Sequence, residues 1–470
     1  MHKYNYTVSL FILKQTGYLT HLFNPAIIFF MQNNFLTDLW QTLRDIPRWF
    51  RPGLGIRRWF IFVMLGITLL GLGFAVILID VYRTDSTNPF LLIFLSYASL
   101  RFIPRVWRAI LFGGLGIGTI AYGILQLNRS LLKPFIQPGS DVFDQISNFR
   151  RRERGPHIVT IGGGHGLATL LRGLKTHTGN LTAVVTVADD GGSSGRLRES
   201  HGILPPGDIR NCLAALSNDE AMLTQLFQYR FSGSPDLEGH SFGNLFITAL
   251  ADITGSFESA VVESARVLSI NGRVLPSTLI DVKLVASMEL PHSLNEVRVE
   301  GESKIPEMSG RVRRVWLEPD NAPAFPPVIK AILNADVIIV GPGSLYTSIL
   351  PNLLVQDLLT AMHTSRATKI YVCNIATQSG ETDSYTCSDH IRALEDHVGE
   401  DLFDVIVCND NYQDSINSAS KWVKADEKTL ADPRSYCADL VDDEHPWRHD
   451  TTKLAQVIMD IFLERTGPLV

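Results

Sequence analysis

A chain of 470 residues is too long for one ordinary core, so two or more structural regions are expected. The net charge of −6 hides a division: residues 1–154 carry 17 Lys/Arg against 7 Asp/Glu, and residues 155–470 carry 25 against 41. No basic patch with interleaved aromatics appears in the acidic part, which argues against nucleic acid, and five cysteines without a CxxC pair predict reduced, mostly buried thiols rather than a disulfide framework or zinc site.

Residues 1–58 read as a basic N-terminal segment on the cytoplasmic side. No small-residue cleavage site follows a clean apolar run within 1–40, so no secretory signal is read. Residues 59–127 read as a membrane region. The uncharged run Trp59 to Ile79 would make a helix about 31 Å long, matching a hydrocarbon core of about 30 Å. Ala109 to Leu127 gives a second uncharged run, with Gly114 and Gly118 as a small-residue packing face. Between them, Pro89 to Leu100 is too short to span; it reads as an interfacial or re-entrant segment, or as a third tilted span. Arginines before the first run and after the second predict that both flanks are cytoplasmic. These segments predict a multi-pass membrane protein whose main domain is cytoplasmic, joined by a basic linker over 128–155.

Residues 156–470 read as one α/β domain. Strand-like HIVTI (His157 to Ile161) meets GGGHG, helix-compatible LATLLRGLK follows, and strand-like LTAVVTVA (Leu181 to Ala188) comes next. Strand, glycine turn, helix, strand opens a parallel sheet. ADVIIV, KIYVCNI and FDVIVC each end in small and polar residues, and ligands of parallel sheets bind beyond those carboxyl ends. Val297 to Glu318 reads as a small strand-rich insertion near the sheet edge, or as an ordinary surface excursion. A final helix is expected over about Thr452 to Leu463.

Five turns could carry chemistry. In GGGHG, Gly162, Gly163, Gly164, His165 and Gly166 form either a phosphate seat at a helix start or a bare tight corner. In VVTVADDGGSSGRLR, Asp189 and Asp190 could grip a ribose or converge on Mg²⁺, or merely cap the turn. Gly191, Gly192, Ser193, Ser194 and Arg196 supply N–H groups, hydroxyls and a cation suited to an anion. In LPPGDIRNCLAAL, Asp208 could cap the helix, while Arg210 and Asn211 could face an anion or base. GHSFGNLFITAL offers His240, Ser241 and Asn244, and GPGSLYTS offers Gly341, Gly343 and Ser344. Several such turns in one domain favour a nucleotide-like ligand. There is no GxSxG, HExxH or Walker A sequence.

Together, VTIGGGHGLATLLRGLK, VVTVADDGGSSGRLR, LPPGDIRNCLAALS, GHSFGNLFITAL and ADVIIVGPGSLYTSILPNLLV resemble the YvcK branch of the CofD-like family, the gluconeogenesis factors, over roughly Pro156 to Phe462. The resemblance implies a Rossmann-like domain binding a nucleotide sugar such as UDP-N-acetylglucosamine. It also implies a link to cell shape and wall synthesis during gluconeogenic growth, with cell-wall synthesis proteins as partners. The related CofD enzymes transfer a phospholactyl group with Mg²⁺. By the same resemblance GGGHG lies by the diphosphate, and Asp189–Asp190 match the acidic pair after the second strand. Typical members begin near the first glycine loop, so the N-terminal region departs from the pattern. Three functions follow as expectations: a nucleotide-sugar-binding regulator, a Mg²⁺-dependent transferase, and, with the wrong fingerprint spacing, an NAD-dependent oxidoreductase. A homo-oligomer is compatible with each.

Overall fold

A computed structural model describes residues 61–71, 103–132, 155–217, 220–233, 237–290, 295–308, 310–413, 416 and 420–467. The contacts divide the chain into Met1–Gln145 and Ile146–Val470.

In the first unit the described helices are α1 (Ile61–Gly71) and α2 (Arg105–Leu132). They pack through glycines that allow close backbone approach. A Cβ added to Gly116 would stand 2.8 Å from Leu70 Cγ, and one on Gly123 would stand 2.8 Å from Val63 Cγ2. The face expected at Gly114 and Gly118 is instead open, with nothing within 4 Å of either position. The multi-pass membrane placement is also overturned. Among the described residues one helix, through Ile110–Leu127, is long and apolar enough to cross a membrane. The first expected span is described only as Ile61–Gly71, about 16 Å of helix against a hydrocarbon core of about 30 Å. One candidate does not support a multi-pass topology, and the cytoplasmic placement inferred from two crossings falls with it. The readings of 1–58, of Pro89 to Leu100 and of most of 128–155 lie outside the described residues.

The second unit is a parallel α/β domain. Its large sheet holds β1 (Ile158–Gly162), β2 (Leu181–Val185), β3 (Arg273–Pro276), β7 (Val337–Val340), β8 (Thr368–Val372), β9 (Val405–Asn409) and β10 (Ser435–Ala438). These lie in the order β10–β9–β8–β7–β1–β2–β3, with every pair parallel. Continuous apolar runs form such strands because both faces are covered by helices. Val159, Ile161, Ile338 and Val340 face one core, and Ile158, Val337 and Ile339 face the other.

Helices α3 (Gly164–Leu174), α4 (Gly192–His201), α5 (Gly207–Leu216), α6 (Glu220–Gln228), α7 (Phe242–Thr254) and α8 (Phe257–Val267) separate β1, β2 and β3 in sequence. After β3 comes a three-stranded antiparallel insertion of β4 (Lys283–Glu289), β5 (Val297–Glu300) and β6 (Arg311–Glu318), in the order β5–β4–β6. It starts earlier than the Val297 boundary expected. Leu284, Ala286 and Met288 of β4 point into the core shared with Ile161 and Val340, so the insertion is packed onto one sheet face. The chain then returns to β7 beside β1 and winds outward to β10. The winding direction therefore reverses between β1 and β7, which opens a crevice at their carboxyl ends. The last helix, α9 (Thr451–Thr466), lies against α3, so tightly that a Cβ on Gly173 would strike the Thr451 carbonyl.

Cys212, Cys373 and Cys437 are free thiols, the first two buried. The expectation for the other two is corrected: Cys387 and Cys408 are joined as a disulfide, with Cα atoms 7.0 Å apart. Their separation of 21 residues gives no spacing signal; it is the fold that sets one against the other.

Candidate functional site

A cavity of about 730 Å³ opens where the winding reverses. Its floor is made by the turns after β1 and β7. Gly163 is extended and precedes α3 with no side-chain cap, and Gly164 takes φ +64°, where glycine is favoured. Gly166 lies directly under the second turn, since a Cβ there would approach the Pro342 carbonyl to 2.6 Å. Asn374, at the end of β8, locks that turn. Its Oδ1 accepts the Gly343 N–H at 3.1 Å, and its Nδ2 donates to the Gly343 carbonyl at 2.8 Å. Ser344 Oγ accepts from Gln378 Nε2 at 2.6 Å.

Three helical segments start at this cavity with no hydrogen bond from the side chain of their own cap residue: α3 after Gly163, where Asp208 takes the Gly164 N–H instead, α5 after Pro206, and the turn Leu345–Ile349 after Ser344. By contrast, Ser241, Ser256 and Asp450 cap α7, α8 and α9. Uncapped N–H groups and the positive ends of helix dipoles suit an anion. Arg172 and Arg448 add full charges at the lining. Burial holds the His165 imidazole below its usual pKa, and the positive Arg448, Arg210, Arg172 and Arg230 lower it further.

The opposite character comes from three carboxylates, Asp189, Asp208 and Glu302, which also line the cavity. Asp189 accepts the Gly191 N–H at 2.9 Å, and burial pushes its pKa up. Asp208 is pushed to about 6, first by burial and then by the Asp189 charge, against the Gly164 N–H that it accepts. Asp208 lies within the first turn of α5 rather than at its cap. Glu302, from the insertion, is pushed to about 8 by burial and by the charges of Asp189, Asp208, Glu381 and Asp190.

Of the residues expected from sequence, Gly163, Gly164, His165, Gly166, Asp189, Asp208, Gly343 and Ser344 line the cavity. Gly162 lies just beneath, its carbonyl accepting Asn352 Nδ2 at 3.0 Å, and Gly341 precedes the second turn with φ +80°. Asp190 turns away from Asp189; its Oδ1 accepts the Ser303 N–H at 2.9 Å and ties the insertion down. Gly191 and Gly192 begin α4. Arg196 donates to the Glu238 carbonyl at 2.7 Å, on the surface. A further set forms one buried network behind the lining, joined to it where Ser194 hydrogen-bonds Asp189. Ser193 Oγ meets His240 Nδ1 at 3.0 Å and accepts Asn244 Nδ2 at 3.1 Å. Ser194 lies 3.5 Å from Asn244 Nδ2. Arg210 donates to Ser241 Oγ at 2.5 Å and to Asn211 Oδ1 at 2.8 Å.

Arg172, Glu302, Thr347, Asn374, Gln378, Trp447 and Arg448 were not singled out from sequence, yet line the cavity. Arg172 lies in the helix after GGGHG and Asn374 at the end of KIYVCNI, so the strand-end rule could have found the latter. For Mg²⁺, no group of three or more His, Cys, Asp or Glu side chains among the described residues is set to hold a metal ion. Asp190 is committed to the insertion through the Ser303 N–H, so the acidic pair does not present two free carboxylates to that ion. A second depression of about 650 Å³ lies at the amino-terminal end of the strands, by His157, Asn180, Arg273 and Lys330, and none of the turns at the carboxyl ends lines it.

The family model for CofD, the 2-phospho-L-lactate transferase, matches residues 158–457. The chain belongs to the CofD family. Within it, the chain is 45% identical to the gluconeogenesis factor of Bacillus subtilis over 318 residues, covering 66% of this chain and 99% of that one. A gluconeogenesis-factor relative from Nostoc sp. is 44% identical over 430 residues, covering 88% of this chain and 91% of its own. That match is long enough to reach beyond the α/β domain. A crystal structure of a UPF0052 family member from Bacillus halodurans is 42% identical with a TM-score of 0.60, covering 65% of this chain and 99% of that one. These relatives place the chain among the gluconeogenesis factors of the family.

Proposed function

We propose that this protein is a regulator that binds a nucleotide sugar, UDP-N-acetylglucosamine, in the crevice between β1 and β7, and that it acts in cell shape and wall synthesis during gluconeogenic growth. The observation that carries the binding reading is the convergence of the starts of α3, α5 and the Leu345–Ile349 turn with Arg172 and Arg448 on one cavity. A diphosphate would lie over the Gly163–Gly166 and Gly343–Ser344 turns and take the N–H groups that remain beside those of Gly164 and Gly343, which serve Asp208 and Asn374. The carboxylates Asp189, Asp208 and Glu302 would accept sugar hydroxyls. The remaining expected residues, Ser193, Ser194, Arg210, Asn211, His240, Ser241 and Asn244, would hold the wall behind the ligand.

A second reading has its own support. The family model is that of a transferase, and Glu302 at about 8 is a carboxyl that holds its proton near neutral pH. In that reading Asp189, Asp208 and Glu302 handle protons during transfer of a phosphorylated group.

Calorimetric titration of the full chain with UDP-N-acetylglucosamine, GDP and NAD⁺, each with and without Mg²⁺, separates the readings. Saturable binding of the UDP-sugar without product supports the regulator. Mg²⁺-dependent product supports the transferase, and binding of GDP or NAD⁺ alone sinks the leading reading.

A further inference from the structure

Trp447 is 41% exposed, yet it is the only Phe, Tyr or Trp that lines the cavity among the described residues. An indole left in water at a polar cavity forgoes apolar burial that the fold could have used. Its position is also fixed. Val441 and His449 form a β-bridge around it, and the Asp442 carboxylate accepts the N–H groups of Glu444 and His445 at 2.9 and 2.8 Å. The Arg448 N–H donates to the His445 carbonyl at 2.8 Å. Two residues past Trp447, His449 is tied through Nε2 to the Cys373 carbonyl at 3.1 Å, at the end of β8. The His445 ring stands edge-on to the indole, 5.3 Å between centroids. Arg448, one residue along, is the strongest charge acting on His165 of the phosphate turn. An aromatic on a braced loop therefore stands one residue before the cation whose charge acts on His165.

We propose that the Trp447 indole is the platform on which the ligand's nucleobase stacks, and so selects nucleotides over bare phosphates; this rests on the nucleotide-sugar reading above. A flat π-face accepts a base without hydrogen-bond readout, and a platform already held in place loses little entropy on binding. The hydrogen-bonding groups at the glycine turns would then set the diphosphate, and Trp447 the ring at its other end.

The test uses the full chain and its Trp447→Ala and Trp447→Phe variants, with UDP-N-acetylglucosamine, UDP and inorganic pyrophosphate as probes. Base stacking predicts that Trp447→Ala weakens UDP and UDP-N-acetylglucosamine equally, by about tenfold or more, and leaves pyrophosphate unchanged. Trp447→Phe should restore most of the affinity. Tryptophan fluorescence of the wild type should be quenched by UDP but not by pyrophosphate, and the part of that quenching missing from Trp447→Phe belongs to this indole. A loss confined to the UDP-sugar, with UDP unaffected, would mean that the indole meets the sugar and overturns the proposal. Unchanged affinity for all three probes in Trp447→Ala overturns it while leaving the parent reading intact. A wild-type chain that binds no uridine nucleotide overturns both. Should Trp447→Ala prove unfolded by thermal melting, the fluorescence of the wild type and of Trp447→Phe decides the matter.

Discussion

The Asp208 carboxylate accepts the Gly164 N–H and closes the space over Gly163, where an added Cβ would stand 2.5 Å from Oδ2. Gly163 has φ −168°, an extended conformation open to any residue, so the requirement for glycine here is steric and not a matter of backbone strain. Gly163→Ala should push Asp208 aside and disturb the start of α3. Overpacking of this kind costs about 1–3 kcal/mol of stability. Because the displaced groups line the cavity, ligand affinity should fall further than that loss explains. Melting and titration of the same variant check the two effects.

The carboxylates give a pH dependence of definite sign. Asp208 rises from 3.8 to about 6 and Glu302 from 4.5 to about 8, both chiefly through burial. A folded-state pKa above the unfolded value means that the native state binds the proton more tightly. That stabilisation is complete below the unfolded pKa values and is lost as pH rises through about 6 and about 8. The ligand-free protein should therefore melt at lower temperature as pH is raised from 5 to 9. The carboxylates act on one another, so the two steps belong to the cluster. Glu302→Gln should flatten the upper part of the curve and Asp208→Asn the lower part. An anionic ligand should bind more weakly as the cluster ionises, an effect that Glu302→Gln should reduce above neutral pH.

Much of this site could be read along the chain, where local rules govern. HIVTI running into GGGHG and ADVIIV running into GPGS gave two strand-to-helix turns, and the fold sets them side by side at the reversal point. Adjacent order in sequence does not show which turns meet in space: Gly166 and Pro342 are in contact although they stand 176 positions apart in the chain. Glu302 was missed because it arrives on an insertion whose first strand, KLVASME, was not recognised. Trp447 and Arg448 sit in a polar loop with no local signal. Ser193, His240 and Asn244 looked like mouth residues because they occupy glycine-rich turns. Their burial follows from the start of α7 packing against α4, a tertiary fact. The paired apolar helices were judged by composition over a run of residues, whereas the described α1 covers only about half the length of a span.

The buried network behind the cavity should behave as structure. Arg210 is 6% exposed, and its guanidinium bridges Ser241 and Asn211 in a fixed fork. Lysine keeps the charge but cannot reach both partners at once. Arg210→Lys should cost about 1–3 kcal/mol by leaving buried acceptors unsatisfied. It should change affinity for UDP-N-acetylglucosamine only to the extent that melting changes. A tenfold loss of affinity with an unaltered melting temperature would instead place Arg210 against the ligand.

Arg172 should behave in the opposite way. It lies in the last turn of α3 and its side chain lines the cavity, where its charge reaches His165. A cation at the C-terminal end of a helix is favourable to the helix in itself, but one aimed into an anion seat also supplies charge-assisted hydrogen bonds. A bond to a charged group contributes about 1.5–3 kcal/mol, so Arg172→Gln should weaken UDP-N-acetylglucosamine by about tenfold or more. The melting temperature of the ligand-free chain should hardly move, because the substitution keeps the helix and removes one of several positive charges that act on His165. Salt supplies the control. The wild-type affinity should fall as ionic strength rises, and the fall should be shallower in Arg172→Gln, which has one positive charge fewer to be screened. Equal salt slopes for the two proteins would show that Arg172 does not face the anion.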